Sequence, residues 1–281
     1  MKKTGNTWMK KGLLLAAAGC LIFLGCFAAL GFDLSRLNGA QWESRSYTLT
    51  KHFDDIRIDS ATADVTFVRS EDGACRVEVD EMENVPHTVA VENGVLTVQE
   101  QDLRKWYEHL IPAWGQPQIT VYLPDSAYDS VTVDVTTGSV TAPSGFSFRT
   151  ASIRTTTGSV AWQSAVSEKL DIRVTTGSIR AAGVSCRQAA FSSVTGSVTL
   201  RNVIAADTLT ASTTTGSIHL EGVDGAHLSF HVTTGSITGT VLTEKVFTAQ
   251  STTGSVSVPD TTSGGDCTAV TTTGSVKIQL P

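Results

Sequence analysis

The chain has 281 residues, 41% hydrophobic and 17% charged, with a formal net charge of −6. That acidic balance speaks against nucleic acid as a partner, because phosphate binding rests on clustered Lys and Arg. Its 24 glycines, with abundant Thr, Ser and Val, favour strands and tight turns over helices, so an all-β body is expected.

Residues 1–11 form a basic N-terminus, with Lys2, Lys3, Lys10 and Lys11 and no acid. Residues 12–32 follow without a charge; as a helix rising ~1.5 Å per residue they measure about 31 Å, close to the thickness of a bilayer core. A transmembrane helix over 12–32 is the expectation. The lysines on one side of it predict a single-pass protein with a cytoplasmic N-terminus and everything beyond residue 32 extracytoplasmic. Two other readings stay open, a cleaved signal and a lipoprotein signal: Ala17-Ala18-Gly19-Cys20 resembles a lipobox, and Leu24-Gly25-Cys26 a poorer one. The apolar run continues past Cys20, which suits a spanning helix better than a lipoprotein.

Residues 33–46 read as a juxtamembrane linker, and residues 47–129 as a membrane-proximal cap of degenerate β-coils. Residues 33–133 hold 18 acids against 8 bases, whereas residues 134–281 hold nine of each, so the acidity is concentrated in this third. Ile56, Ile58, Val65 and Phe67 alternate around Ala63. Strand-like runs follow at 76–79, at 88–98 interrupted by the hairpin signal Asn93-Gly94, and at 118–123 closing on Pro124. The polar loop 101–117 carries Trp106, Tyr107 and Trp114, either as a lid over the first coil or as an aromatic binding site.

Residues 130–281 are eight repeats. Their glycines are Gly138, Gly158, Gly177, Gly196, Gly216, Gly235, Gly254 and Gly274, spaced 19 or 20 residues apart, each preceded by Thr and followed by Ser. Numbered from the glycine, apolar residues fall at −7 and −5 and again at +2 and usually +4, so the inward parity switches at the glycine and the chain turns a corner there. Glycine suits a corner that needs positive φ and close approach of the next coil. A strand, a corner, a second strand and a return in so few residues predict a single-stranded parallel β-solenoid, β-helix-like, with successive rungs stacked in sequence order.

Stacking turns equivalent positions into columns. Thr at −1 and Ser at +1 are unbroken; Thr at −2 (Thr136, Thr156, Thr175, Thr214, Thr233, Thr252 and Thr272) is interrupted by Val194. Stacked hydroxyls bond one another and the corner backbone, which is the structural reading; the functional one is a flat recognition surface. The −4 column mixes Asp134, Arg154, Arg173 and His231, which excludes a regular Thr-x-Thr array. The last repeat runs to Pro281 without a capping segment, which predicts an open C-terminal rung able to dock a strand or a second copy.

Cys75, Cys186 and Cys267 are too few and too scattered for a disulfide framework, and no Cys-x-x-Cys spacing occurs. The acids of the repeats fall in different columns, His219, His227 and His231 fall on different faces or turns, and no motif positions a nucleophile, a zinc ion or a phosphate. No catalytic residue, metal or cofactor is therefore expected.

Phe53-Asp54-Asp55-Ile56-Arg57-Ile58, Ala63-Asp64-Val65, Ile119-Thr120-Val121-Tyr122-Leu123-Pro124 and the Thr-Thr-Gly-Ser coils resemble the DUF4097 family, whose members carry the label "putative adhesin"; the resemblance covers residues 47–281. It implies a bacterial cell-envelope protein, often single-pass, with no catalytic residues to carry over, and some relatives look like partners of envelope-stress signalling systems. The expectation is a non-enzymatic interaction or structural module whose partners are the membrane and another envelope protein or a cell-wall or surface polymer. The alternative is a glycan-binding or glycan-active β-helix using Trp106, Tyr107 and Trp114.

Overall fold

A computed structural model of the chain describes residues 5–29, 41–104, 106, 115–124 and 127–281. Tyr107 and Trp114 lie outside the described residues. The chain divides into two compact units, residues 1–41 with 103–115, and residues 42–102 with 116–281.

The first unit holds the helix Gly5–Ala29. It begins seven residues before the expected span and takes in Lys10 and Lys11, so its charge-free part is residues 12–29, about 27 Å of rise. Among the described residues no helix is long and apolar enough to cross a membrane. The expectation of a spanning helix over 12–32 is corrected to that extent.

The second unit is all-β, with its 22 strands in one sheet system. Most repeats contribute a long strand before the glycine and a short one after it, for example Ser147–Thr157 and Val160–Trp162, while after Gly216 one strand, Ile218–Thr234, serves both parts. Alternation does what the sequence predicts: the −7, −5 and +2 residues, such as Ala151, Ile153 and Val160, are buried and their neighbours face out. Equivalent residues pair in parallel from one repeat to the next, Val133 with Ile153, Ile153 with Ile172, Ile172 with Phe191, Phe191 with Ala211 and Ala211 with Phe230. The core is therefore a stack of near-identical layers of Val, Ile, Leu, Ala and Phe.

The corners require glycine. Gly216 sits at φ 146°, and a Cβ there would lie 2.2 Å from the carbonyl oxygen of Gly196. Each corner thus rests directly on the backbone of the corner beneath it, at a distance that excludes a side chain.

Both ends depart from sequence order. Asp55–Thr62 and Asp64–Arg69 lie beside the first repeat, with Ile56 opposite Val131 and the Ala63 amide donating to Thr137 at 3.1 Å. This degenerate coil is covered on its other side by Val95–Glu100 and Gln118–Leu123, which come later in the chain. Antiparallel strands then close that end: His87–Glu92 on Val95–Glu100 across the Asn93-Gly94 turn, Cys75–Met82 on Gln118–Leu123, and Trp42–Leu49 on Cys75–Met82. Residues 42–46, expected in a linker, belong to a strand.

At the other end the strand Ile218–Thr234 pairs with Gly265–Thr273 of the eighth repeat, and that strand pairs with Lys245–Thr253 of the seventh. The C-terminal strand Val276–Gln279 likewise lies between Ile237–Val241 and Val256–Ser257. The expectation of an open edge at residues 274–281 is corrected: the eighth repeat is inserted, and the seventh is outermost. The physical reason is the pair Gly264-Gly265, where a Cβ would lie 1.9 Å from the Glu244 carbonyl oxygen and 2.1 Å from that of Ala226. Only a backbone without side chains passes between those two chains.

A candidate interaction face

The repeat's hydroxyl columns divide into those that build the corner and those that do not. Along the +1 column serine amides reach the hydroxyl of the serine below, Ser159 to Ser139 at 3.2 Å, Ser178 to Ser159 at 3.2 Å and Ser236 to Ser217 at 3.1 Å. Asp64 begins this ladder by accepting the Ser139 amide at 2.7 Å. The column is structural, as stacked hydroxyls near a turn suggest.

A second structural column was not legible in the sequence. The −3 residues point inward, and where they carry a hydroxyl it donates to the glycine carbonyl of the adjoining repeat: Thr155 to Gly138 at 2.9 Å, Thr213 to Gly196 at 2.8 Å, Thr271 to Gly235 at 2.8 Å. The column mixes valine with Thr and Ser, which hides its single structural role. The signal available was the parity itself, since −3 continues the inward series from −7 and −5.

Charged residues at the return turns are paired between neighbouring strands. Arg149 reaches Asp129 at 3.2 Å and Arg201 reaches Glu221 at 2.9 Å, while Arg173 meets Asp171 at 2.9 Å. His227 contacts Asp266, whereas His219 contacts Thr238 at 3.1 Å and His231 stands apart and exposed. The three histidines thus do not converge on one site. Among the described residues no group of His, Cys, Asp and Glu could hold a metal ion.

The −2 and −1 threonines are different. Thr136, Thr156, Thr175, Thr214, Thr233, Thr252 and Thr272 are exposed, as are their −1 neighbours, and among the described residues none of these side chains joins the corner network. Beside them runs an open groove of about 320 Å³ lined by Asp134, Arg154, Thr156, Arg173, Thr175 and Val194. A row of methyl and hydroxyl groups at strand spacing, flanked by two guanidinium groups, can contact an extended chain bearing hydroxyl or anionic groups. Trp106 is 78% exposed.

One constellation escaped sequence reasoning altogether. Ser60 Oγ is 3.0 Å from His87 Nε2, and His87 Nδ1 is 2.7 Å from Glu81. The order matches a Ser-His-carboxylate relay, but the Ser60 hydroxyl donates to Glu100 at 2.6 Å and the side chains of His87 and Glu81 are fully buried. With the serine proton on Glu100, Nε2 must donate to Ser60, the reverse of what a nucleophile needs. Glu100 also accepts the Ala61 and Thr62 amides at 2.8 and 3.0 Å, and Arg45 lies 3.3 Å from Glu81. The cluster ties five strands of the cap together. Its bonded partners are separated by up to 40 residues with no diagnostic spacing.

Of the described thiols Cys186 and Cys267 are buried, Cys75 is half-buried and Cys20 is exposed. Burial pushes Cys186 up to about 11; it pushes Cys267 up to about 12, helped by Asp266 and opposed by Lys245.

A family model, Toastrack DUF4097, matches residues 53–280. Among solved structures, one described as a "putative adhesin" from Parabacteroides merdae superimposes with a TM-score of 0.51 at 14% identity, covering 86% of this chain and 98% of that one. Another "putative adhesin", from Bacteroides fragilis, gives 0.49 at 19% identity over 87% and 99%. A "putative lipid binding protein" from Parabacteroides distasonis gives 0.32 at 14% identity over 86% and 98%. At such identities the likeness concerns the fold alone. Among curated proteins none matches. With the family model covering most of the cap and all eight repeats, the chain belongs to the Toastrack DUF4097 family.

Proposed function

We propose that the repeats form a β-solenoid that acts as a non-enzymatic docking module of the bacterial cell envelope, with the −2 and −1 threonine columns as its recognition surface. The lysines before the apolar N-terminal segment support a placement outside the cytoplasm, with that segment tethering the module to the membrane. The observation that carries the reading is a division of labour. Ser at +1 and Thr or Ser at −3 hold the corners together, while the two threonine columns stay exposed and outside that network. The partner is another envelope protein or a wall or surface polymer lying along the groove beside Arg154 and Arg173. Neighbours described as "putative adhesin" agree with an interaction role, and the buried, saturated state of Ser60 and His87 supports one without catalysis.

A second reading, glycan binding, rests on the exposed Trp106. Photo-crosslinkable residues at Thr175, Thr214 and Trp106, placed one at a time in intact cells, separate the two. Capture of a discrete envelope protein or polymer from Thr175 and Thr214 supports the threonine face. Capture from position 106 alone supports the glycan reading, and no capture from the threonine positions contradicts the proposal.

A further inference from the structure

In every inner repeat the corner amides point outward and are taken by the next repeat. Gly216 donates to Thr234 at 2.9 Å and Ile218 to Ser236 at 2.9 Å; Gly235 donates to Thr273 at 2.8 Å and Ile237 to Ser275 at 3.0 Å. The seventh repeat is the last to receive them, through Thr253 and Ser255. Its own corresponding donors, the amides of Gly254 and Val256, face no further strand among the described residues. Its layer of the core is also uncovered: Val256 is 43% exposed, and Phe247, Ala249 and Val258 are only partly buried.

Unpaired edges in soluble proteins are normally blunted by charge, proline or a covering segment. The cap end of this protein is treated that way, with Glu43 and Arg45 on one outer strand and Glu92 on the other. The outermost repeat is not. No charged residue occurs from 246 to 258, and the first proline is Pro259. At its entry Lys245 is buried and held by Asp224 at 2.7 Å, and the Glu244 carboxylate accepts the Ser263 hydroxyl of the return segment. An edge of this kind meets its own image without bringing like charges together. A twofold arrangement would extend both sheets at once and bury Phe247, Ala249, Val256 and Val258 against their counterparts.

We propose that the seventh repeat, residues 245–258, is the interface of a homodimer in which the edge strands of two copies pair antiparallel about a twofold axis. The ligand of the threonine face is a separate question, because of the −2 threonines only Thr252 falls within residues 245–258.

The test is sedimentation equilibrium of the full chain in detergent, comparing wild type with Val256→Lys and Val256→Pro. The proline removes only an amide that points outward, so the monomer loses no hydrogen bond; circular dichroism and melting temperature report whether each variant is folded. The expected result is a wild-type dimer and, for both folded variants, a dissociation constant raised at least about tenfold. Hydrogen exchange of the wild-type Gly254 and Val256 amides should slow as protein concentration rises. A monomeric wild type, a dimer that survives both substitutions, or exchange at these amides that ignores concentration would overturn the proposal.

Discussion

The amide of Gly235 donates to the carbonyl of Thr273, 2.8 Å away, and not to that of Thr253, which instead receives Gly274 at 2.9 Å. Repeat eight therefore lies between repeats six and seven. The chain lays down its seventh repeat first, crosses back through Gly264-Gly265, and slots its last strand into the interior of the ladder. Its C-terminal strand gains two paired edges where sequence order would have given it one.

Cysteine pairs read this order directly. Thr238 is opposite Lys277 and Lys277 is opposite Ser257, so Thr238 and Ser257 lie two strands apart, about 10 Å, beyond the reach of a disulfide. Mild oxidation should crosslink Thr238→Cys/Lys277→Cys quickly and leave Thr238→Cys/Ser257→Cys open, as read by mobility after tryptic cleavage. The opposite pattern means that the repeats stack in sequence order.

Two glycines with positive φ should respond very differently to alanine. At Gly216 the new Cβ would meet a backbone oxygen at 2.2 Å, whereas at Gly183, φ 67°, it would meet nothing within 4 Å. Gly216→Ala should cost about 3 kcal/mol or more, and Gly183→Ala about 1 kcal/mol, from backbone strain alone. Equal melting temperatures for the two variants would remove the close corner contact from the account.

Lys245 and Asp224 clasp the entry of the inserted repeat. Burial pushes the Asp224 carboxyl up, but hydrogen bonds from Lys245, the Gly225 amide and Thr243, together with the lysine charge, outweigh it and leave the group below the ordinary aspartate range. A lowered folded value stabilises the fold above the unfolded pKa of about 3.9 and loses that contribution as pH falls through the folded value. Asp224→Asn should therefore cost about 1–3 kcal/mol at neutral pH, discounted for partial exposure. The gap between variant and wild type in urea unfolding should narrow once the pH drops below about 4. A gap that is constant with pH would mean that the pair is not clasped in the folded state.

Much of this architecture is visible in the residues because the repeat is both local and periodic. Val131, Ile153 and Phe230 announce the core by alternation, the glycine spacing announces the corners, and Asn93-Gly94 marks the hairpin between His87–Glu92 and Val95–Glu100. What stayed hidden is long-range. Pairing order depends on which of several near-identical edges a strand meets, and Thr-Gly-Ser at Gly254 and at Gly274 offers the same partner chemistry to Gly235. Gly264-Gly265 and Pro259 were the available signs that the regular return is broken there. Ser60, Glu81, His87 and Glu100 come together only because the cap strands fold across one another. The threonine face was named from the sequence, while the separation of its columns from the structural hydroxyls at −3 needed side-chain directions.

The central claim is that the −2 threonines serve recognition and not stability, and the most direct measurement pairs a melting temperature with partner capture for Thr175→Lys/Thr214→Lys. Both side chains are exposed and outside the corner hydrogen bonds, so the double variant should melt within a few degrees of wild type while losing whatever the photo-crosslinkers capture in intact cells. Capture at the wild-type level by a folded double variant would contradict the claim and leave the threonine columns as scaffold alone.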